Sequence, residues 1–136
     1  MKYRSALVSG VAVYLASAAC VSFGVYDAHP NIDIPFHIAG GITAGMFAIA
    51  LHDDFKRRHQ IGRTPRWYDL LFILGFVALI AIAWEVHEFV LDRTIVLTYH
   101  TAINQISVAD TIGDFLNGLI GATIAFVAFG RFSQKH

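Results

Sequence analysis

Residues 70–91 read LLFILGFVALIAIAWEVHEFVL, an apolar segment whose last part carries two glutamates and a histidine. A helix of about 20 apolar residues crosses the hydrocarbon core of a bilayer, so this stretch predicts a membrane-spanning helix. Three further stretches have the same character, and the predicted spans are residues 5–26, 34–51, 70–91 and 106–129. We therefore expect an all-α fold, an integral membrane four-helix bundle, with residues 1–136 forming a single four-span transmembrane domain.

The composition of the whole chain agrees with a membrane protein. Of 136 residues, 56% are hydrophobic and only 15% are charged, against roughly 25% charged residues in soluble domains. Ten basic residues balance ten acidic ones, so the total charge indicates no nucleic-acid partner. The small residues ASAAC at 16–20 suggest a cleaved signal peptide, but the apolar run continues through VSFGVY and favours a spanning helix.

Basic residues lie mainly on one side of the predicted spans. They precede the first span, follow the fourth, or lie between the second and third: Lys2, Arg4, Lys56, Arg57, Arg58, Arg63, Arg66, Arg131 and Lys135. The other side has only Arg93. The positive-inside rule therefore predicts that both termini and the 53–69 loop are cytoplasmic, with residues 27–33 and 92–105 outside. The spacing of apolar residues in the 92–105 loop leaves open whether the loop lies in the membrane interface or folds against the helices.

Small residues occur at helical spacing on two of the spans. Gly41 and Gly45 form a GxxxG pair on the second span, and Gly118 and Gly121 lie on the fourth. In lipid, small residues let helix backbones approach closely and pack. We expect these four glycines to lie at helix-packing surfaces.

Three of the spans carry polar residues into the same outer layer of the membrane. The three sets are Asp33 and His37; Glu85, Glu88 and Asp92; and Asp110, Asp114 and Asn117. Their spacings of three and four residues place each set on one helical face. The first span has no acidic residue, histidine, lysine or arginine. The predicted polar pocket is therefore formed by the second, third and fourth spans, and the first is expected to be largely an envelope helix.

Acidic side chains at this depth require charge compensation. A carboxylate near the bilayer centre costs on the order of 2.5–3.5 kcal/mol, and the four predicted spans contain no lysine or arginine. Shared protons, water, Arg93 or a bound cation can supply the compensation. Three interpretations follow: a metal site, a protonated or ion-pathway network, and purely structural hydrogen bonding.

The metal interpretation names a definite set of side chains. The candidate ligands are His37, Glu85, Glu88, Asp110 and Asp114, with Asp33, Asn117, Asp92 and Trp84 in the pocket or behind the ligands. Carboxylate and amide oxygens favour Mg²⁺, Mn²⁺ or Ca²⁺, and the histidine nitrogen leaves Zn²⁺ or Fe²⁺ open. His87 lies about 100° to 200° around the helix from the two glutamates, so we expect it at a helix interface.

Three motifs resemble those of a known group of membrane proteins. DIPFHIAGG (33–41), AWEVHEF (83–89) and DTIGDFLNGLIGA (110–122) are similar to the VanZ-like superfamily, and more closely to its YjdF-type members. The resemblance covers the last three spans. It implies a small multi-pass protein of the bacterial inner (cytoplasmic) membrane, with His37, Glu85, Glu88, Asp110, Asp114 and Asn117 as characteristic polar positions. It implies no particular reaction.

Three classes of function are compatible with these features. A metal-dependent enzyme would use the ion to polarise an oxygen or activate water, acting on a lipid or cell-envelope precursor. A cation- or proton-handling protein would use the same acids as an ion site, although no polar stripe continues to the cytoplasmic surface. A membrane scaffold or binding protein would need the acids only for folding.

Overall fold

The computed structural model describes residues 3–96, 98 and 107–130, which are almost entirely helical. The helices are α1 (Tyr3–Ser22), α2 (Val25–Ala28), α3 (Asp33–Arg57), α4 (Arg66–Leu91) and α5 (Val108–Phe129). A 3₁₀ turn at Pro30–Ile32 leads into α3, and a π-helical turn at Asp92–Val96 follows α4.

Four helical segments are long and apolar enough to cross a membrane. They are Tyr3–Ser22, Asp33–Arg57, Arg66–Ile95 and Val108–Phe129. The length and composition of these helices confirm the prediction of an all-α chain with four apolar spans. Three of them carry an aspartate in the first turn, Asp33 in α3, Asp69 in α4 and Asp110 in α5, where a negative charge interacts favourably with the helix dipole.

The first span ends earlier than the sequence predicts. Gly24 has a positive φ of 68°, a left-handed conformation that glycine adopts without steric cost and that terminates helices. The expected helix over residues 5–26 therefore stops at Ser22. Tyr26 belongs instead to α2, which turns back so that the Tyr26 hydroxyl lies 2.9 Å from the Ser17 Oγ of α1.

The tightest helix pair is α3 with α5, and glycine makes it possible. A Cβ added to Gly41 would overlap the backbone oxygen of Gly118, and one added to Gly121 would overlap that of Ile38. A Cβ at Gly45 would lie 2.9 Å from that of Ala125. The structure thus places the predicted packing glycines between these two helices, with Gly118 contributing its backbone.

The buried core lies toward the end of the bundle that is far from Asp33. It consists of apolar side chains of α3, α4 and α5: Ala48, Ile49, Ile73, Val77, Ala122, Ala125 and Phe126. Large apolar side chains on the outer surfaces of the four long helices are exposed. That distribution suits a bundle whose outer surface contacts lipid.

Reporter fusions test the predicted orientation. A reporter active only outside the cytoplasm should work when fused after His29, between α1 and α3, or after Tyr99. The same reporter should fail after Gln60, between α3 and α4, or after His136, because the basic residues are expected to remain cytoplasmic. Activity of the His136 fusion would reverse the orientation and put Asp33 and His37 on the cytoplasmic side.

Candidate functional site

Five of the predicted polar residues converge near the start of α3. Asp33 and His37 come from the first two turns of α3, Glu85 and Glu88 from the last two turns of α4, and Asp114 from the second turn of α5. His37 Nε2 lies 3.3 Å from Asp33 Oδ1 and 3.7 Å from Asp114 Oδ1. We call these five residues the acid cluster.

The acid cluster contains two sets of potential metal ligands. One is Asp33, His37 and Asp114, and the other is His37, Glu85 and Glu88. Within each set, one ligand atom per residue lies within 4.8 Å of the others. Opposite ligands lie about 4 Å apart around octahedral Mg²⁺ and up to about 5 Å apart around Ca²⁺, and the ligands of tetrahedral Zn²⁺ lie about 3.4 Å apart. Either set could therefore hold a divalent ion after, at most, a small inward movement of side chains.

Neighbouring hydrogen bonds orient two of the carboxylates. The Tyr26 hydroxyl donates to Asp33 Oδ1 at 3.2 Å and lies 2.9 Å from Ser17 Oγ. Burial raises the pKa of Tyr26 above its usual range, so this hydroxyl keeps the proton that it donates. On the α4 side, Trp84 Nε1 donates to Glu88 Oε1 at 2.9 Å. The predicted pocket residues Asp33 and Trp84 thus both lie within the site.

An apolar cavity of about 530 Å³ extends from the acid cluster into the bundle. Its polar end contains Asp33, His37 and Asp114, and its remaining walls are mainly aliphatic and aromatic. Residues of α1 from Ala6 to Ser17 form one wall. The acid cluster itself comes from α3, α4 and α5, but α1 is more than an envelope helix, because it lines the apolar part of the cavity.

The comparison with protein families agrees with this architecture. The family model described as "predicted membrane protein (DUF2238)" matches residues 2–135. The chain belongs to this family. Neither a curated protein nor a solved structure matches the chain. The DUF2238 description supports a membrane protein of unknown function, but not the VanZ-like or YjdF-type groups specifically.

Three other predicted site residues of this DUF2238 protein lie outside both ligand sets. Asp110 is in the first turn of α5, where its backbone N–H donates to Ser107 Oγ at 3.1 Å. Asp92 begins the π-helical turn after α4. Asn117 is half-buried on α5 and does not line the cavity. Their roles in a site stay predictions.

His87 lies at a helix interface, as its position around α4 suggests. Its ring centroid is 6.2 Å from that of Tyr14 on α1 and 5.4 Å from that of Trp84. Its Nδ1 is buried and has no hydrogen-bond partner among the residues that the structure describes. His87 therefore helps to connect α1 with α4 at the level of the acid cluster.

A second polar cluster in this DUF2238 protein was not anticipated from the sequence. Asp69 of α4 is 4% exposed, and its Oδ1 lies 2.7 Å from both His52 Nε2 and Lys56 Nζ of α3. It also accepts a hydrogen bond from Thr64 Oγ1. We call His52, Lys56, Thr64 and Asp69 the loop cluster, because it holds the connection between α3 and α4.

One sequence signal pointed to the loop cluster. His52 and Lys56 are four residues apart, which places them on one face of α3, and Asp69 follows Pro65 in the first turn of α4. From the sequence alone, the basic residues of this loop are expected to determine topology. Arg57 and Arg58 do lie at the surface and pair with Asp53 and Asp54, but Lys56 points inward.

Proposed function

We propose that this member of the DUF2238 family is a divalent-metal-dependent enzyme of the bacterial inner membrane that acts on a lipid or cell-envelope precursor. One observation carries the proposal: three helices bring four carboxylates and a histidine together, and three of these residues, Asp33, His37 and Asp114, line the polar end of an apolar cavity. The cavity suits the apolar part of an amphiphile, and the acid cluster suits the chemistry on its polar part. The resemblance to VanZ-like and YjdF-type proteins supports the setting in the bacterial inner membrane.

Charge balance favours a metal in this cluster. The side chains of His37 and Asp114 are only 10% and 7% exposed, and no lysine or arginine lines the described cavity. Buried carboxylates are stable when they are paired, protonated or bound to a metal. A divalent cation would neutralise two of them at once, and the carboxylate and imidazole donors are ligands that several divalent metals accept.

The arrangement supports a simple division of roles. A bound metal would supply a Lewis acid that polarises a phosphoryl or carbonyl oxygen, or that lowers the pKa of a bound water. Asp33, His37 and Asp114 form one ligand set, and Tyr26 holds Asp33 in position. Glu88, oriented by Trp84, belongs with His37 and Glu85 to the other ligand set and would hold the metal from the α4 side.

The region between the acid cluster and the loop cluster is apolar, which argues against the alternative of a cation or proton pathway. His37 and His52 are fifteen residues apart on α3, which corresponds to about 22 Å along a helix. Between these levels lie the apolar cavity, whose α3 wall reaches Phe47, and the buried core side chains Ala48 and Ile73. A continuous ion path would require polar groups or water at this depth. The geometry therefore supports a closed site more than a conduit.

Metal analysis tests the cofactor directly. Purified parent protein should contain stoichiometric divalent metal, and Glu88→Gln and Asp114→Asn should each lose most of it. Because a metal that binds only the folded state stabilises that state, by about 2.7 kcal/mol at a hundredfold excess over Kd, chelation should lower the melting temperature of the parent. Elemental analysis and thermal melting in one detergent measure both effects.

The matched control for the metal experiment is Asp53→Asn. Asp53 is an acidic residue of α3 that pairs with Arg57 at the surface, so its replacement should leave metal content unchanged. A parent protein without stoichiometric metal, whose melting is unaffected by chelation and whose neutral variants are equally stable, would show that shared protons and hydrogen bonds hold the acids. The proton-network interpretation would then replace the metal site.

Catalysis is tested with an unbiased lipid extract. The parent protein, supplied with its metal, should convert at least one component of a bacterial envelope lipid extract, as measured by mass spectrometry. Asp114→Asn and chelated parent should leave that component unchanged, whereas Asp53→Asn should convert it. A metal-loaded protein that alters no component would limit the site to binding.

A further inference from the structure

The cavity next to the acid cluster is about as deep as one leaflet of a membrane. Its α3 wall runs from Asp33 to Phe47, and the part that continues beyond the polar residue His37 spans ten residues, or about 15 Å of helix. Half of a hydrocarbon core about 30 Å thick is also about 15 Å. Its volume of about 530 Å³ lies within the range of ligand pockets, about 300–1,000 Å³. The dimensions suit an extended hydrocarbon chain.

The cavity opens sideways between α1 and α4. At the level of the acid cluster, the ring of Tyr14 contacts that of Trp84 edge-on, with centroids 5.8 Å apart. Further along α1, Leu7 and Val11 line the cavity and are 56% and 58% exposed, and Ile80 on α4 lines it and is 46% exposed. Side chains that line a cavity and are also exposed form its rim. This rim faces the apolar outer surface of the bundle.

The polar end of the cavity contains a nearly buried carboxylate, that of Asp114. The Asp114 side chain is 7% exposed and lines the cavity, and its Oδ1 is 3.7 Å from His37 Nε2, beyond hydrogen-bond length. Within the described part of the chain, this carboxylate accepts no side-chain hydrogen bond. Leaving such a group unsatisfied is costly, so a cationic group at this end of the cavity would stabilise the structure.

We propose that the cavity holds one hydrocarbon chain of a phospholipid, which enters between α1 and α4 and places its phosphate at the acid cluster. The chain position rests on the shape and lining of the cavity. The phosphate position rests on the proposed function, because carboxylates repel a phosphate unless a divalent cation bridges them. The two parts can therefore be tested separately.

Gly40→Leu is the decisive variant for the chain position. Gly40 lines the cavity, and a Cβ at this position would meet no atom within 4 Å. A leucine there would project into the space that the chain occupies, and leucine favours a helix more than glycine does. The matched control is Gly75→Leu on α4, where a Cβ also meets no atom within 4 Å and the residue does not line the cavity.

Native mass spectrometry measures the bound lipid. Each protein is reconstituted in vesicles of phosphatidylethanolamine and phosphatidylglycerol and then extracted in the same detergent. The parent and Gly75→Leu should retain stoichiometric phospholipid, and Gly40→Leu should retain at least tenfold less while melting no lower than the parent. A folded Gly40→Leu protein that retains as much phospholipid as Gly75→Leu would overturn the chain site, as would a parent that retains none.

The same measurement on Asp114→Asn and on chelated parent tests the phosphate position. Loss of phospholipid in both supports a phosphate held through a metal. Retention in both overturns the phosphate position, and the chain site stands if Gly40→Leu still loses lipid. Failure of the metal proposal is thereby distinguished from failure of the chain site.

Discussion

Gly41→Ala and Gly121→Ala should each destabilise the protein by at least about 3 kcal/mol, the upper part of the range for overpacking a well-packed core. In the structure, a Cβ at Gly41 would overlap the Gly118 backbone oxygen, and a Cβ at Gly121 would overlap that of Ile38. Backbone atoms cannot move aside as a flexible side chain can. The methyl group therefore forces α3 and α5 apart over a large part of their contact.

Thermal melting in detergent, followed by circular dichroism, measures this effect. Gly40→Ala and Gly113→Ala are matched controls, because they lie in the same two helices and a Cβ at either position meets no atom within 4 Å. Both controls should be neutral or gain up to about 1 kcal/mol, since alanine is the better helix former. Comparing each variant with its control separates the cost of overpacking from the gain in helix propensity.

Equal melting of Gly41→Ala and Gly40→Ala would contradict the close approach of α3 and α5. Separating these helices should also disturb the acid cluster, since His37 belongs to α3 and Asp114 to α5. A destabilised Gly41→Ala protein is therefore expected to lose bound metal as well, whereas Gly40→Ala should retain it.

The four spans could be predicted because apolar length alone determines whether a helix can cross a membrane. The exact end of α1 could not be read from hydropathy, since the apolar run continues past the left-handed Gly24. Small residues identified the packing faces of α3 and α5 but not their pairing. Which helix receives a glycine face depends on how all the helices fit together, and no single segment contains that information.

The acid cluster was accessible from the sequence for a physical reason. Helical rise gives each polar residue a depth, and spacings of three and four give it a face. Depth and face do not fix how far each helix is rotated toward its neighbours. This is why Asp33, His37 and Asp114 come together while Asp110 lies outside both ligand sets. The α1 wall was missed because an apolar lining has no distinctive residue type.

Asp69→Asn should destabilise the protein by about 3 kcal/mol, the lower end of the range for breaking a buried ion pair by removing one partner. The substitution keeps the size of the side chain but removes its charge. Lys56, whose side chain is 14% exposed, would then lose the carboxylate that it contacts at 2.7 Å. His52, which is fully buried, would lose the same partner. The connection between α3 and α4 should loosen.

A double-mutant cycle with Lys56→Met isolates the charge contribution. Methionine keeps much of the apolar length of lysine without its charge, so Asp69→Asn should cost less in the Lys56→Met background than in the parent. Asp54→Asn is the matched surface control. Asp54 pairs with Arg57 and Arg58, whose side chains are 55% and 68% exposed, so its loss should cost less than about 1 kcal/mol.

The outcome of this cycle decides whether the loop cluster is a buried charge pair. Asp69→Asn could instead melt at the same temperature as Asp54→Asn, with an effect that Lys56→Met does not alter. In that case Asp69 does not compensate the charge of Lys56, and the cluster contributes only hydrogen bonds. The expected result, a large loss that Lys56→Met partly restores, would mean that the α3–α4 connection is fixed by buried electrostatics. Such a connection would hold α4, and with it Glu85 and Glu88, at a fixed height relative to His37.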